Sequence, residues 1–404
     1  MFGGLFVNEV IKLFTKKKTY IIWGLFIILC AILVVVNETA EKNYLRYSSP
    51  EAQIENLTAE LKNQESYLAS LKTDTSLSEE EKQLYEVQGN SYLESLKEQI
   101  AAAKASLTAA EGADWRDNLK EQIEEQKKTL NETEDSASKK YQAREIEKLQ
   151  MHLDNNIPLD DSNYNTGINY YVLSITMIAA SFLGFGLIMF NGDNVSSEYN
   201  PGTLKFLLIQ PVSRIKVLLS KFLVMVFSSA LLIMITQFLF FIGVGLVKGF
   251  GGFNRPVLVG LKYEYIFSNG QKYLTEITGS GYYIPLWQYL LIALLLQFLF
   301  LIVMVTFILL ISTISKSSVI AMTVLICTIL GANIVYSLSA TYRKVSPFIF
   351  LHYSNIDDII TGRAVLRTSS FLFTGQTVII MSILSVILFL GASLWVFKKR
   401  DIQI

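Results

Sequence analysis

Six long apolar runs constrain this chain more than any other feature of its sequence. Each run is long enough to cross the roughly 30 Å hydrocarbon layer of a bilayer as a helix. The runs occupy residues 20–36, 170–190, 222–247, 285–311, 319–338 and 377–397. Hydrophobic residues make up 51% of the chain, which is more than a single water-soluble core normally buries. We therefore predict an all-α polytopic membrane protein with six transmembrane helices.

Basic residues at the two ends of the chain predict which side of the membrane each loop occupies. Lys12 and residues 16–18 precede the first run, and basic residues at 398–400 open the C-terminal tail, 398–404. Lys and Arg are enriched in the cytoplasmic segments of membrane proteins, so we expect both termini of this chain in the cytoplasm. The expected location is a cell membrane, of the bacterial plasma membrane type, which the chain crosses several times. No small-residue cleavage site follows the first run, which favours a retained anchor over a signal peptide. Alternation then places 191–221 and 312–318 inside, and 37–169, 248–284 and 339–376 outside.

The segment 37–169 differs in composition from the rest of the chain. It holds 15 Lys/Arg and 27 Asp/Glu, whereas the remainder holds 20 and 8. Apolar residues recur at helical spacing in three stripes: Ile54, Leu57, Leu61, Leu68 and Leu71; Leu93, Leu96, Ile100, Ala103 and Leu107; Trp115, Leu119, Ile123 and Leu130. The stripes are narrow, which predicts an extracellular helical domain of antiparallel coiled-coil hairpins. Two roles stay open for it: a solvated spacer, or a docking surface for a cationic ligand or an extracellular peptide or protein.

The inner segment 191–221 carries the most specific pattern of residues. Pro201 and Gly202 break the chain, and Thr203 can cap a short helix that Pro211 ends. The apolar face of this helix and its polar rim are predicted from Leu204, Leu207 and Leu208 and from Glu198, Lys205 and Arg214. A partly apolar helix at a membrane face needs a surface to pack against, so we predict that a partner protein docks here.

This order of residues resembles the permeases of type-2 ABC exporters, in which Glu-x-x-x-Gly-Thr-Leu precedes Pro-Val-Ser-Arg and a Lys that opens the next span. The matching residues are Glu198, Gly202, Thr203, Leu204, Pro211, Val212, Ser213, Arg214 and Lys221. The resemblance implies a coupling helix in 191–221 that fits a groove of a separate ATPase subunit. It also implies a re-entrant outer element within 339–376 and a cytoplasmic amphipathic elbow helix over 1–19, with Glu9, Lys12 and Phe14. The segment 37–169 lies outside the resemblance, because most relatives have only a short link there.

The near absence of ionisable residues from the spans bears on the kind of substrate. Lys221, near the inner edge, is the charged exception. Three uncharged polar residues, Gln237, Gln297 and Asn333, also occur in the spans, and they can line a path or hydrogen-bond between helices. Because buried charges usually mark ion or proton pathways, their absence favours an amphipathic or apolar substrate over an ion-coupled carrier.

The energy source is expected on another polypeptide. The sequence lacks the phosphate-binding motif Gly-x-x-x-x-Gly-Lys-Ser/Thr, so ATP and Mg²⁺ are expected on a partner ABC ATPase. No catalytic residue, metal site or bound cofactor is predicted for this chain, and no basic patch with interleaved aromatic residues predicts nucleic-acid binding. The predicted function is that of a permease subunit, which pairs in membrane lipid with a second permease, identical or homologous. The pair is predicted to export a peptide, a lipid or a drug, and an antimicrobial peptide is one cargo that fits. The alternative is a membrane sensor or scaffold whose ectodomain binds an extracellular peptide or envelope component.

Overall fold

The computed structural model describes residues 2–47, 49–73, 79–112, 115–198, 213–268 and 270–399. In chain order the helices are α1 (Phe2–Thr15), α2 (Lys17–Tyr47), α3 (Pro50–Thr73), α4 (Glu79–Gly112), α5 (Trp115–Glu132), α6 (Ser136–Asp154), α7 (Gly167–Ser181), α8 (Leu183–Asn191), α9 (Arg214–Lys248), α10 (Leu286–Ile314), α11 (Ser318–Leu338), α12 (Ala340–Val345), α13 (Ile356–Thr361), α14 (Ala364–Thr368) and α15 (Gly375–Lys399). Four strands lie between α9 and α10: β1 (Pro256–Val259), β2 (Tyr263–Ser268), β3 (Gln271–Glu276) and β4 (Tyr282–Pro285).

Within the described residues, five helices are long and apolar enough to cross a membrane: α2, α9, α10, α11 and α15. The pair α7 and α8 passes the same test when it is counted as one span, which brings the number to six. The predicted class, an all-α polytopic membrane protein, is confirmed. The four short strands are an addition to it that the apolar runs do not indicate.

The sixth span is bent, whereas its apolar run at 170–190 gives no sign of an interruption. Its two halves meet at an angle of 65° around Phe182. Glycine weakens a helix, and Gly184 and Gly186 follow directly after the break. A Cβ on Gly186 would lie 2.4 Å from the Phe182 ring, so the ring occupies the space that this glycine leaves open.

Helix α10 is the centre of the membrane bundle. More than half of its apolar window (56%) is buried, compared with 17% in α11 and α15. Helices α7, α8, α9, α11 and α15 all contact it. The large apolar side chains that remain exposed on the outer helices, such as Val247 and Ile387, face the region that lipid fills.

Four helices between the first two spans form two packed pairs. Helix α3 packs against α4, with Leu68, Leu71 and Leu96 buried, and α5 packs against α6. The second pair buries Leu119 and Ile123 against Ile146 and Leu149. We call α3 to α6 the helical domain. Apolar residues from all three predicted stripes therefore lie in helix contacts.

The two ends of the bundle differ in structure. At one end, which we call the terminal end, α1 packs against α9, and the Arg214 guanidinium donates to the Lys398 carbonyl oxygen at 3.3 Å. The opposite end carries the strands and the short helices α12 to α14. There β1 pairs antiparallel with β4, and β2 with β3. Backbone hydrogen bonds from Gly260 to Ile360 and from Leu261 to Thr361 join these two loop segments.

Candidate functional site

Four charged side chains meet at the terminal end of the bundle; we call Glu9, Lys12, Glu198 and Lys221 the charge cluster. The Lys221 ammonium lies 2.7 Å from Oε2 of Glu9 and 2.7 Å from Oε1 of Glu198. The Lys12 ammonium lies 3.1 Å from the same Glu198 oxygen and 3.3 Å from Oε1 of Glu9. The cluster therefore joins three parts of the chain: α1, the segment after α8 and α9.

Burial makes this cluster different from an ordinary surface ion pair. The side chain of Lys221 is fully buried, and those of Glu9 and Glu198 are 5% and 10% exposed. Two negative and two positive groups leave no net charge, which is the condition under which ions can remain inside a protein. Partial burial lowers the pKa of Lys12, but Glu198 and Glu9 raise it by more, so its pKa lies above the usual value.

The sequence of α1 explains why a carboxylate is buried there. Leu5, Glu9 and Leu13 are spaced four residues apart, so they lie on one face of the helix, and all three are buried. Val7 and Ile11 lie on another face and are more than half exposed. One face thus packs on α9 through an ion pair, and the other presents apolar side chains to lipid, as expected of an interfacial helix.

The segment 191–198, which follows α8, is fixed by contacts on several sides. Lys18 of α2 lies 2.6 Å from Asp193. Asn191 donates to Ser229 of α9 at 2.8 Å. The backbone amides of residues 195 and 196 donate to the hydroxyl of Ser312 in α10, at 3.2 and 3.1 Å. This segment is therefore connected to α2, α9 and α10 before the chain reaches the predicted coupling loop.

The predicted coupling loop itself is only partly described. Its residues Pro201, Gly202, Thr203, Leu204, Leu207, Leu208 and Pro211 lie outside the described residues. Its flanks are visible. Glu198, which the sequence places at the polar rim of the predicted helix, forms hydrogen bonds with Lys12 and Lys221. On the other side, the Ser213 hydroxyl caps α9 by accepting from the Lys216 amide, and Arg214 lies in the first turn of that helix.

The remaining elbow residue, Phe14, takes part in packing rather than in the charge cluster. It is half-buried and packs against the group formed by Leu13, Ile22, Phe190 and Val224. This apolar group joins α1 to α2, α8 and α9 next to the charged contacts. Helix α1 is thus held to the bundle by an ion cluster and by an adjoining apolar contact.

The three polar residues predicted within the spans have different surroundings. Gln237 of α9 and Gln297 of α10 are buried and hydrogen-bond to each other at 3.5 Å. Asn333 of α11 lines two neighbouring cavities. The smaller cavity lies beside Gly184 and Phe185, just after the bend in the sixth span. The contact between the two glutamines joins α9 to α10 but leaves Gln237 Nε2 and Gln297 Oε1 buried without a partner among the described residues, whereas Asn333 lies beside open space.

The two cavities share Asn333, Leu351 and Ser354. The inner cavity is lined mainly by apolar residues, among them Phe185, Phe300, Met304 and Ile329. The outer one is lined by polar groups at the opposite end of the bundle, among them His352, Asn355, Asp358 and Arg367. An Arg367 nitrogen lies 2.6 Å from the Asp358 carboxylate there. Polar groups line both cavities, because Asn333 and Ser354 reach the inner one as well.

A comparison with family models agrees with this architecture. The model described as "ABC-2 family transporter protein" matches residues 5–402. The chain belongs to the ABC-2 transporter family. It is therefore a multi-pass membrane permease, and membership implies an ABC ATPase subunit as its partner. No curated protein and no solved structure gives a significant match.

Within this ABC-2 permease, sequence reasoning found the members of the charge cluster separately but did not join them. Glu9 and Lys221 are 212 positions apart, so no local pattern connects them. A signal was nevertheless present, because a lysine at the edge of an apolar span requires a counter-charge. Glu9, which interrupts the apolar face between Leu5 and Leu13, was the candidate. Among the described residues no group of three or more His, Cys, Asp or Glu could hold a metal ion.

Proposed function

We propose that this ABC-2 permease is the membrane subunit of an ATP-driven exporter, and that residues 199–212 are the element on which a separate ATPase acts. The observation that carries the proposal is the anchoring of this loop's flanks. Glu198 enters a buried charge cluster on one side, and Ser213 caps α9 on the other. A displacement at these two anchors would pass directly to α1 and α9.

The contacts support a specific route for the force. A push on the loop reaches α1 and α9 through Glu198, and α10 through the hydroxyl of Ser312. Packed and ion-paired elements of this kind move as rigid bodies between discrete arrangements. The closing motion of the nucleotide-bound ATPases would therefore tilt several spans together.

The cavities beside Asn333 support an amphipathic or apolar cargo, such as a peptide, including an antimicrobial peptide, a lipid or a drug. Pockets for such ligands have mainly apolar walls with a few polar groups that fix orientation. Both cavities combine apolar side chains with polar groups, which suits an amphiphile. We place the route from the bend after α7, past Asn333, to the opposite end of the bundle.

The same proposal fixes the assembly and its orientation. Two permease chains, identical or homologous, would pair in the lipid bilayer with two ATPases that bind ATP and Mg²⁺. The terminal end would face the cytoplasm of a bacterial cell, because α1, Lys12 and the 199–212 loop must reach the ATPase. The helical domain would then project outside, where its excess of acidic residues suits the docking of a cationic peptide or partner.

Two kinds of variant separate docking from coupling. Leu204→Asp places a charge on the predicted apolar face of the loop and is expected to abolish co-purification with the ATPase. Glu198→Gln keeps the shape of the side chain but removes its charge, so the ATPase should still bind while cargo-stimulated hydrolysis and transport are lost. Lys216→Met is the matched control, because Lys216 is an exposed side chain on the same helix as Lys221.

Three results would overturn the proposal. One is an ATPase that fails to co-purify with the wild-type chain, which would favour a sensor or scaffold. Another is Leu204→Asp that binds the ATPase as the wild type does. The third is Glu198→Gln that transports at the rate of Lys216→Met, since the charge cluster would then have no part in coupling.

A further inference from the structure

The hairpin of β2 and β3 has one face that is covered at its base and open at its tip. Tyr263, Tyr265 and Phe267 alternate along β2, so their side chains lie on the same face of the hairpin. Their exposure increases along the strand: Tyr263 is 7% exposed and Phe267 is 77% exposed. The face that packs at the base therefore continues as an uncovered aromatic surface at the tip.

The base is fixed on the segment that leads into the last span. Tyr263 packs with Leu261 and Val365 in a small buried group. The Tyr265 ring meets the Phe371 ring edge-on, with centroids 5.4 Å apart, and its hydroxyl donates to the Ser369 carbonyl oxygen at 3.4 Å. The hairpin therefore extends from the 365–371 segment.

That segment lies close to the level at which the chain enters the membrane. Phe371 and Leu372 are 48% and 56% exposed, and α15 begins at Gly375, three residues after Leu372. Residues just outside a span lie in the headgroup layer, where aromatic side chains are enriched. Since Tyr265 contacts Phe371, the base of the hairpin lies at that level too.

The tip is apolar on both faces, and this observation identifies what surrounds it. Ile266 and Tyr273, which face each other across the ladder, are 43% and 46% exposed on the face opposite Phe267. A hairpin that packs against a protein surface needs one apolar face, whereas one immersed in lipid is covered on both. Bilayer lipid fits this tip better than a flat protein partner does.

Charge complementarity supports the same occupant. The Lys272 ammonium lies 3.9 Å from the centre of the Tyr265 ring and 5.9 Å from that of Phe267. Lys262, Lys344 and Arg363 are also exposed at this end of the bundle and form no ion pair within the described part of the chain. Basic side chains beside aromatic ones suit the phosphates of lipid headgroups.

We propose that the tip of the β2–β3 hairpin, through Phe267, Ile266 and Lys272, inserts into the headgroup layer of the bilayer that the protein spans, with a preference for anionic lipid. The insertion fixes the loop between α9 and α10 at a third point, besides the ends of the two helices. The helical domain is connected to the same loop. The Arg144 guanidinium of α6 lies 3.2 Å from Glu276 at the end of β3.

The connection between the hairpin and the helical domain is close-packed. The Tyr283 hydroxyl donates to Glu145 of α6 at 3.2 Å. At Gly279, where φ is +72°, a Cβ would lie 2.6 Å from the Cβ of Lys140, so the turn lies directly on α6. Insertion of the hairpin tip thus sets the height of the helical domain above the membrane.

Site-directed spin labelling of the full-length chain in nanodiscs tests the proposal. Cys30→Ala and Cys327→Ser remove the native thiols, and single cysteines are placed at Phe267, at Glu124 of α5 as the water reference and at Ile387 of α15 as the lipid reference. Oxygen concentrates in lipid and a nickel chelate in water. The measured quantity is the collision rate with oxygen divided by the collision rate with the nickel chelate. At position 267 this ratio is expected to lie between the ratios at positions 124 and 387. Adding the anionic lipid phosphatidylglycerol to phosphatidylcholine nanodiscs should move the ratio at position 267 toward the ratio at position 387. The substitution Lys272→Gln should abolish that shift.

Two outcomes would overturn the proposal. A ratio at position 267 equal to that at position 124 places the tip in water. Low collision rates with both oxygen and nickel place it against protein, either a second copy of this chain or another partner. Glu264→Cys, an exposed position of the same strand nearer the base, is the matched control, and its ratio should lie closer to the water reference than the ratio at position 267 does.

Discussion

Replacing Lys221 with methionine tests the charge cluster of Glu9, Lys12, Glu198 and Lys221 most directly. The lysine ammonium lies 2.7 Å from one carboxylate oxygen of each glutamate, and the side chain is fully buried. Methionine has a similar length but carries no charge. Two buried carboxylates are then left with Lys12 alone, whose side chain is 38% exposed. Removing one partner from a buried ion pair costs about 3–5 kcal/mol, because the remaining charge is buried without compensation.

The geometry also predicts the order of effects among the lysines. Lys12 is more exposed and its contacts are longer, at 3.1 and 3.3 Å, so Lys12→Met is expected to cost about 1 kcal/mol or less. Lys216→Met changes an exposed side chain of the same helix and should stay within about 0.5 kcal/mol of the wild type. A second change, Glu9→Gln in the Lys221→Met background, restores neutrality and should recover part of the loss.

The assay is unfolding of the purified permease by sodium dodecyl sulfate in mixed micelles. Tryptophan fluorescence is a suitable signal, because the Trp23 ring nitrogen of α2 donates to Thr236 of α9 at 3.0 Å and so reports on their contact. The reasoning is refuted if Lys221→Met and Lys216→Met unfold with equal free energies. It is also refuted if Glu9→Gln adds its full cost to that of Lys221→Met, since the two charges would then be independent.

Three further predictions concern the opposite end of the bundle. Gly362→Ala should cost more than about 1 kcal/mol in the same unfolding assay, because φ is +89° there and a Cβ would lie 2.3 Å from the Leu261 carbonyl oxygen. Burial lowers the pKa of His352, which lies outside the spans, from 6.5 to about 4. The unfolded chain then binds the proton first, so stability is lost as pH falls from about 6.5 to about 4, and His352→Phe should reduce that loss. Arg144→Met should raise hydrogen exchange in β3 by freeing Glu276, with no change in α7.

The membrane architecture was predictable from sequence because hydrophobicity is a local property. A run such as 285–311 identifies its own span, and α10 covers Leu286–Ile314. Residues from the helical stripes, such as Leu96 and Leu119, are likewise buried in helix pairs. These signals need only a window of residues and no knowledge of what the window contacts.

What the sequence did not reveal depends on contacts between distant residues or on weak local signals. The strands at 256–285 are four to six residues long, and no clear alternation of polar and apolar residues marks them. The bend at Phe182 lies inside a continuous apolar run, and the Phe182 ring occupies the space beside Gly186. The pairing of Glu9 with Lys221 becomes visible only when α1 folds back on α9.

Helix α9 connects the two ends of the bundle, which is what the proposed coupling role requires. Its 35 residues span about 52 Å at 1.5 Å per residue, from the terminal end to the opposite end. Beyond its far end, the Gly249 and Phe250 carbonyl oxygens accept the first amides of α7, at 2.9 and 3.0 Å. Because α9 is continuous and held at both ends, a force on the coupling loop should move α9 and α7 together.

The bend between α7 and α8 lies between two points at which this span is attached to α9. Helix α8 leads into the fixed 191–198 segment at the terminal end, whereas α7 is tied to the far end of α9. The two halves of the span are therefore held at opposite ends of α9, and they meet at an angle of 65° in this structure. The cavity beside Gly184 and Asn333 adjoins that break, so a change of the angle changes the cavity's volume. If this reasoning holds, a crosslink that fixes α7 to α8 should stop transport while the ATPase remains bound.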